Sequence, residues 1–344
     1  MIATPSLSHR EIAACMARGA SALLGGQLVT GEIATHRDTE IGKVYTPSPF
    51  MSALVHDALA CLDPRSPHHS EPGVLTGNDR RTVAWSLGAV RRRIRRFLIA
   101  QEEADGTWCF YGRGSALGPD AATTACAALA VARRSGRPDD PDRWQRHARA
   151  LARFRTPAGP HFTFVAGDAG YSSIAADGRK IGGFDRIVNA HVMRFLAAAG
   201  DDDDGLAAYL EAEVTEGDRG RGSLHHPDPA CFAHAVARAW TETPARDARA
   251  IAGSLLPWLL ARQDDQGGFG GPLSTALAAL ALVDLGYAGD ALDRASHYLL
   301  ATASRTGEWP HEPYLSGGHG SAAFTTAFAL AALARATAVR GGVA

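Results

Sequence analysis

The feature that most constrains the fold is a repeat: an amphipathic helix, a turn with Gly and an aromatic residue, and a helix built almost entirely from small apolar residues. Clear copies occupy residues 97–131, 258–286 and 298–336, and three looser copies fill most of the remaining chain. The pattern predicts six helical hairpins. A helix that is apolar on nearly every side must be buried on nearly every side. The second helices should therefore form an inner ring inside their amphipathic partners, giving an all-α (α/α)6 toroid.

Composition agrees with one globular domain over residues 1–344, in which the Pro-rich stretch 63–77 is an exposed linker loop. The formal net charge of -1 argues against nucleic-acid binding, which usually requires a basic surplus. The five cysteines lie far apart and form no CxxC pair, so neither disulfides nor a thiolate zinc cage is expected. No apolar run reaches the roughly 18 residues of a membrane span, so we expect no transmembrane segment and a cytoplasmic location.

Two turn segments, QEEADGTW (101–108) and QDDQGGF (263–269), share a Gln, acidic residues, Gly and an aromatic ring. They resemble the QW repeats of an α/α toroid superfamily that contains class II terpene cyclases, squalene-hopene cyclases and prenyltransferase β subunits. The resemblance implies the toroid fold and an enzyme of specialised metabolism. Such an enzyme would cyclise or rearrange an apolar isoprenoid or polyene substrate, as a cyclase, isomerase or lyase.

The segment GPDAATTA (118–125) departs from the cyclase pattern at one decisive position. In class II cyclases a Pro-Asp-x-Asp-Asp-Thr segment opens an inner helix, and its middle Asp protonates the substrate. Pro119, Asp120 and Thr124 match this segment, but Ala122 stands at the acid position. The acid must then be Asp120, a histidine or the substrate itself. Asp is also a preferred N-cap residue, so the sequence leaves Asp120 open as a cap or an acid.

The prenyltransferase branch of the superfamily fits less well. Its β subunits hold zinc through an Asp, a Cys and a His near the last repeats, and the interiors of the last two inner helices here contain neither Cys nor His. Nothing in the sequence indicates an α subunit. The helix starts still favour an anionic group such as a diphosphate, because their backbone amides and dipoles point outward.

Polar residues within the apolar helices are candidate site residues, because burying them costs free energy unless they are bonded. Asp185 and Asn189 share a helix face, and so do His234 and Arg238. Aromatic rings near the turns could stabilise a carbocation through their π faces. The catalytic candidates are Asp120, His191 and His234. The substrate-binding candidates are Tyr45, Phe50, His56, Phe110, Tyr111, Asn189, Phe232, Arg238, His319 and Phe324.

Two other functions remain open. The chain could be a metalloenzyme that reuses the toroid and holds a transition metal or Mg through histidines. The candidate ligands are His36, His56, His191, His225, His226, His234 and His319. It could instead be a noncatalytic carrier of hydrophobic ligands or a partner subunit. No cofactor is certain, the expected partner is a small apolar molecule, and the sequence does not determine the oligomeric state.

Overall fold

The computed structural model describes residues 8–62, 74–134, 137–138, 141–166, 169–171, 173–174, 180–216, 222–243 and 249–341. Twelve α-helices in the described residues form six helical hairpins, each with a first and a second helix. The first helices of the hairpins are α1 (His9–Gly26), α3 (Gly77–Ala100), α5 (Pro141–Ala152), α7 (Asp204–Thr215), α9 (Arg249–Leu260) and α11 (Asp290–Thr302). The second helices are α2 (Pro49–Ala58), α4 (Ala121–Ala132), α6 (Arg186–Ala199), α8 (Pro229–Glu242), α10 (Pro272–Asp284) and α12 (Ala322–Gly341). A 3-10 turn, Leu59–Leu62, extends α2.

The second helices form a closed ring. Each of α2, α4, α6, α8, α10 and α12 packs against the next, and α12 returns to α2. Every residue of α4 is buried, as its Ala-rich sequence requires. The outer helix α5 instead buries Trp144, His147, Ala150 and Leu151, which lie on one face, and exposes charged residues elsewhere. The predicted (α/α)6 toroid is confirmed.

The turns of the repeat are held by hydrogen bonds that recur from copy to copy. The indole Nε1 of Trp108 donates to the Leu98 carbonyl at 2.8 Å, and that of Trp309 donates to the Leu299 carbonyl at 2.7 Å. The backbone amide of Trp108 donates to Thr124 Oγ1 at 3.1 Å, as that of Trp309 does to a threonine of α12. The threonines near the starts of these inner helices therefore fasten the preceding turn.

A glycine in the turn of the last hairpin allows that turn to pack closely against α1. Gly307 has φ of +85°, and a Cβ built on it would lie 2.5 Å from the backbone nitrogen of Gly19 in α1. Only glycine avoids both the backbone strain and the collision. The first and last hairpins therefore pack backbone to backbone.

Short strands connect the helices. The largest sheet is antiparallel and has the order β2 (Gly42–Tyr45), β1 (His36–Thr39), β10 (His319–Gly320) and β9 (Pro313–Leu315). It joins the first hairpin to the last, with His36 opposite Gly320. The other strands pair in twos: β3 (Arg133–Arg134) with β4 (Arg137–Pro138), β5 (Phe164–Ala166) with β6 (Ala169–Tyr171), and β7 (Ser173–Ile174) with β8 (Lys180–Ile181).

A network of buried charges lies toward the C-terminal ends of the inner helices. Arg194 Nη2 lies 2.8 Å from Asp57 Oδ2 and 3.0 Å from Glu242 Oε2. Arg238 Nε lies 2.6 Å from Glu242 Oε1, so the network continues along α8. Arg238 is a predicted substrate-binding residue, and the structure places its guanidinium in this network, against Glu242 and Asp284. Asp284 extends the network to α10 and, through Arg335, to α12.

Two further sequence predictions concern the linker and membrane spans. Residues 63–73 of the predicted linker lie outside the described residues, but Val74 and Leu75 are buried and Gly77 begins α3, so the linker ends earlier than predicted. Among the residues that the structure covers, one segment, Ala322–Arg340, has the length and composition of a membrane span. That segment is α12, and 72% of it is buried within the ring, which is the ordinary state of a core helix.

Candidate functional site

A cavity of about 280 Å³ lies at the N-terminal ends of the inner helices. Its apolar wall includes Phe50, Phe110, Tyr111 and Phe164. Its polar wall includes Asp120, Thr163, His225, His226, Ser316 and His319. A concave, mainly apolar cavity with a few convergent polar groups is the usual form of a small-molecule site.

Asp120 is both the cap of α4 and a free acid in the cavity wall. Its Oδ1 accepts a hydrogen bond from the Thr123 amide at 2.8 Å, which is an N-cap contact. Its Oδ2 is buried and has no hydrogen-bond partner. One oxygen of the carboxyl group therefore caps the helix, and the other is left without a hydrogen bond in the cavity wall.

Burial of Asp120 changes its acidity. Loss of water raises the pKa of the carboxyl group to about 6, although Thr123, His225 and the Phe110 backbone each act in the opposite direction. The backbone on both sides is fixed, because the Asp120 amide donates to the Trp108 carbonyl at 3.2 Å and the Ala121 amide donates to the Thr163 carbonyl at 2.9 Å. The cavity therefore contains a rigidly held carboxyl group that exchanges a proton near neutral pH.

Three histidines stand in the same wall. His226 Nδ1 lies 3.2 Å from the Ser223 hydroxyl, and His319 Nδ1 lies 3.1 Å from the Ser316 carbonyl. Burial lowers the pKa of His226 to about 4, and it also lowers that of His319. Both imidazoles are therefore neutral at pH 7. The third, His225, lies near enough to Asp120 to favour its ionised form.

Phe50 is the centre of an aromatic layer that forms the floor of the cavity. Its ring centroid lies 6.0 Å from that of Phe110, 5.8 Å from His191, 6.2 Å from His226 and 6.3 Å from Tyr314. Several of these pairs are edge to face, the arrangement that aromatic quadrupoles favour. Of these rings, Phe50, Phe110 and His226 also line the cavity.

The predicted site residues fall into three groups. On the cavity wall lie Asp120, Phe50, Phe110, Tyr111, His225, His226 and His319. Beneath the floor lie His191, whose ring nitrogens have no hydrogen-bond partner, and Phe324, which packs on Tyr314. His234 also lies below the floor, edge-on to Phe328.

The structure places the remaining predicted residues away from the wall of this cavity, in other contacts. Tyr45 lies on β2 and donates from its hydroxyl to Glu32 Oε2 at 2.6 Å. Asn189 bonds the backbone of His161 through both ends of its amide. The Phe232 ring lies 4.0 Å beneath the Arg186 guanidinium. His56 is buried in α2, outside the wall of this cavity.

The metal-site prediction finds no ligand set in the described part of the chain. No group of three or more His, Cys, Asp or Glu side chains there is arranged to hold an ion. His36, for example, lies on the outer sheet near Tyr45 rather than with the cavity histidines.

The predicted site residues did not include several wall residues that come from the segments between helices. Thr163 and Phe164 reach the cavity because Phe164 forms a β-bridge with Asp120, and Leu315 reaches it from β9. None of these residues carries a motif. The one usable signal was Phe164 itself, an aromatic residue in the loop before an inner helix.

No protein-family model and no curated protein matches this chain. Among solved structures, the type II terpene cyclase MstE from Scytonema aligns with a TM-score of 0.71 over 97% of this chain and 100% of MstE, at 17% identity. A variant of MstE in complex with its substrate, geranylgeranyl dihydroxybenzoate, aligns with a TM-score of 0.70 over 96% of this chain and 99% of the variant, at 18% identity. This chain has the terpene-cyclase-like α/α toroid fold.

Other matches show how widely that fold is used. The ent-copalyl diphosphate synthase from Streptomyces platensis aligns with a TM-score of 0.55 over 86% of this chain and 52% of the synthase, at 20% identity. An unsaturated glucuronyl hydrolase specific for heparin aligns with a TM-score of 0.58 over 97% of this chain and 98% of the hydrolase, at 11% identity. Because one architecture serves such different reactions, the function has to be argued from the cavity.

Proposed function

We propose that this protein is a terpene-cyclase-like enzyme that binds an apolar isoprenoid or polyene in the aromatic cavity and starts its cyclisation or rearrangement with a proton from Asp120. The observation that carries the proposal is the free Oδ2 of Asp120, buried in an aromatic cavity while Oδ1 caps α4. The fold shared with MstE, whose substrate is a geranylgeranyl dihydroxybenzoate, supports the same class of chemistry.

The acidity of Asp120 limits the group that it can protonate. A carboxylic acid with a pKa near 6 is a weak donor for an isolated alkene, which requires a much stronger acid. An epoxide oxygen or an electron-rich conjugated alkene needs less acid strength. We therefore propose an activated substrate, in keeping with Ala122 in place of the usual acid of class II cyclases.

The reaction then follows from the positions of the groups. The Oδ2–H bond of Asp120 breaks as its proton passes to the substrate, and the epoxide C–O bond or the alkene π bond gives up its electron pair. A second alkene of the chain attacks the resulting cation and closes a ring. The π faces of Phe50, Phe110 and Phe164 stabilise the positive charge while the cavity excludes water.

The helix starts favour a substrate without a diphosphate. Asp120, Asp185 and Asp228 cap α4, α6 and α8, and each accepts a hydrogen bond from a backbone amide that would otherwise bind an anion. A diphosphate beside these carboxylates would meet like charge. We propose an uncharged isoprenoid, and the charged form is a competing outcome of the test below.

The test compares the wild type with D120N on farnesol, 10,11-epoxyfarnesol, farnesyl diphosphate and a prenylated dihydroxybenzoate, with products identified by mass spectrometry. We expect a product isomeric with an uncharged substrate, and a loss of turnover of about 10²-fold or more in D120N, which is the usual contribution of a general acid. D228N is the matched control, because it neutralises a helix cap outside the wall of this cavity. Full turnover by D120N would refute the acid role, and binding without turnover by the wild type would favour a ligand carrier.

A further inference from the structure

The cavity holds a second proton-transfer group in addition to Asp120. His226 lies in the wall and is only 2% exposed, with its ring edge-on to Phe50 and to Tyr314 at 6.2 and 5.0 Å between centroids. Its Nε2 is buried and has no hydrogen-bond partner. A buried nitrogen without a partner loses the free energy of a hydrogen bond, so a ligand group that meets it there would be stabilised.

Ser223 and Asp185 determine which nitrogen of His226 carries the proton. The Ser223 hydroxyl oxygen accepts from the backbone amide of His226 at 3.2 Å and lies 3.2 Å from Nδ1. Asp185 Oδ1 accepts from the amides of Ile187 and Val188, and its Oδ2 is buried and makes no hydrogen bond. Burial would raise the pKa of Asp185, yet that pKa lies below its ordinary value because the imidazoles of His226 and His225, when protonated, and the Ser223 hydroxyl favour the carboxylate.

The Ser223 hydroxyl lies near enough to Asp185 to lower the pKa of that carboxyl group, and rotation of the hydroxyl directs its proton toward the anion. In that orientation the Ser223 oxygen accepts from Nδ1–H of His226, which is one of the two tautomers that the 3.2 Å contact allows and the one that we infer. Nε2 is left with a free lone pair. Since burial lowers the pKa of His226 to about 4, the imidazole is neutral at pH 7 and able to accept a proton.

We propose that His226 is the general base that ends the reaction, with Ser223 and Asp185 as its positioning residues. This inference rests on the proposed function. In the last step a C–H bond beside the final cation breaks, its electron pair forms the C=C bond of the product, and the proton passes to Nε2. Asp185 balances the charge of the imidazolium that forms.

A route for the released proton lies next to this pair. Asp185 and Ser223 also line a second, polar cavity of about 480 Å³, whose wall includes Arg186, Tyr209 and Glu213. The imidazolium can lose its Nδ1 proton through Ser223 toward water in that cavity, and a change of tautomer then returns the remaining proton from Nε2 to Nδ1 before the next turnover. In each turnover Asp120 loses one proton and His226 gains one. Exchange with solvent must then reprotonate Asp120 and deprotonate His226 before the next turnover.

The first experiment measures the products of the wild type, H226Q, D185N and D228N on the substrate that the wild type converts. D185N keeps the α6 cap through the Asn oxygen but removes the charge, and D228N does the same at α8. We expect H226Q to consume substrate at a rate within about tenfold of the wild-type rate. The ratio of the wild-type alkene product to its double-bond isomers and to water-quenched alcohols should change at least tenfold. D185N should shift the ratio in the same direction, and D228N should leave it unchanged.

The second experiment needs no substrate. Long-range proton–nitrogen NMR of the histidine-labelled wild-type protein, with the His226 signal assigned by its loss in H226Q, should show the Nδ1-protonated tautomer at pH 7. An Nε2-protonated ring would overturn the proposal, and H226N provides the assignment if H226Q folds poorly. An active wild type whose H226Q product ratio is unchanged would also overturn it and leave the proposed function standing, whereas a wild type that converts no substrate would refute both.

Discussion

Replacement of Asp120 with Asn removes the ionisable carboxyl group but keeps an oxygen that can cap the helix. The stability of this variant therefore reports the free-energy cost of ionising the carboxyl group without the cost of losing the cap. The pKa of Asp120 is about 6 in the folded protein against 3.8 for an ordinary Asp. Each pKa unit corresponds to 1.36 kcal/mol, so ionising this buried carboxyl group destabilises the folded protein by about 3 kcal/mol. The Asn side chain is not ionised and can still accept from the Thr123 amide.

The sign of the pH dependence follows from proton binding. Between pH 4 and pH 6 the folded protein holds the Asp120 proton more tightly than the unfolded chain does, so the stability that this group contributes is present at low pH and is lost as pH rises through 6. We therefore expect D120N to be more stable than the wild type by up to about 3 kcal/mol at pH 8, and nearly equal to it at pH 4. The other titratable groups that interact with Asp120, namely His225, Cys109 and Cys126, are the same in both proteins.

The measurement is urea unfolding of the wild type, D120N and D120A at pH 4 and pH 8, with the differences between proteins compared at each pH. D120A should fall below D120N at both pH values by about 1 kcal/mol, because it loses the cap as well. A difference between wild type and D120N that does not change with pH would refute the argument, since the carboxyl group would then titrate normally. Such a result would also remove the main electrostatic support for Asp120 as an acid.

Three further predictions test the contacts that stabilise the toroid: a close backbone approach, the buried ion network and a hydrogen bond of a turn. G307A should lower the melting temperature more than G42A, because both glycines have positive φ but only Gly307 meets another backbone, and thermal unfolding of the two variants decides this. E242A should destabilise the protein by about 3–5 kcal/mol in urea unfolding because it leaves Arg194 partly unpaired, and a cost below about 1 kcal/mol would contradict the network. W309F should cost about 1 kcal/mol or more through the lost Nε1 hydrogen bond, and full stability would show that this bond does not hold the turn.

The order of the elements and their burial could be predicted from the sequence because both are local properties. A helix such as α4 has no polar face that could contact water, so its sequence alone requires that it be buried on all sides. The turn residues Gly307 and Trp309 also indicated a hairpin from local sequence. A positive φ favours glycine, and a buried indole requires tryptophan, so both features depend on residue type. These features determined the six hairpins and the closed toroid.

Which side chains meet at the cavity depended on the rotation and tilt of each helix, and the sequence does not encode these locally. One residue of helix phase turns a side chain by about 100°, which decided that Arg238 belongs to an ion network and Asn189 to a loop anchor. The bonding state of Asp120 required the tertiary structure, because one oxygen caps α4 while burial strips the other of water. The sequence by itself therefore determined the toroid and the presence of polar groups near its helix starts, whereas desolvation, a property of the assembled ring, raised the pKa of Asp120.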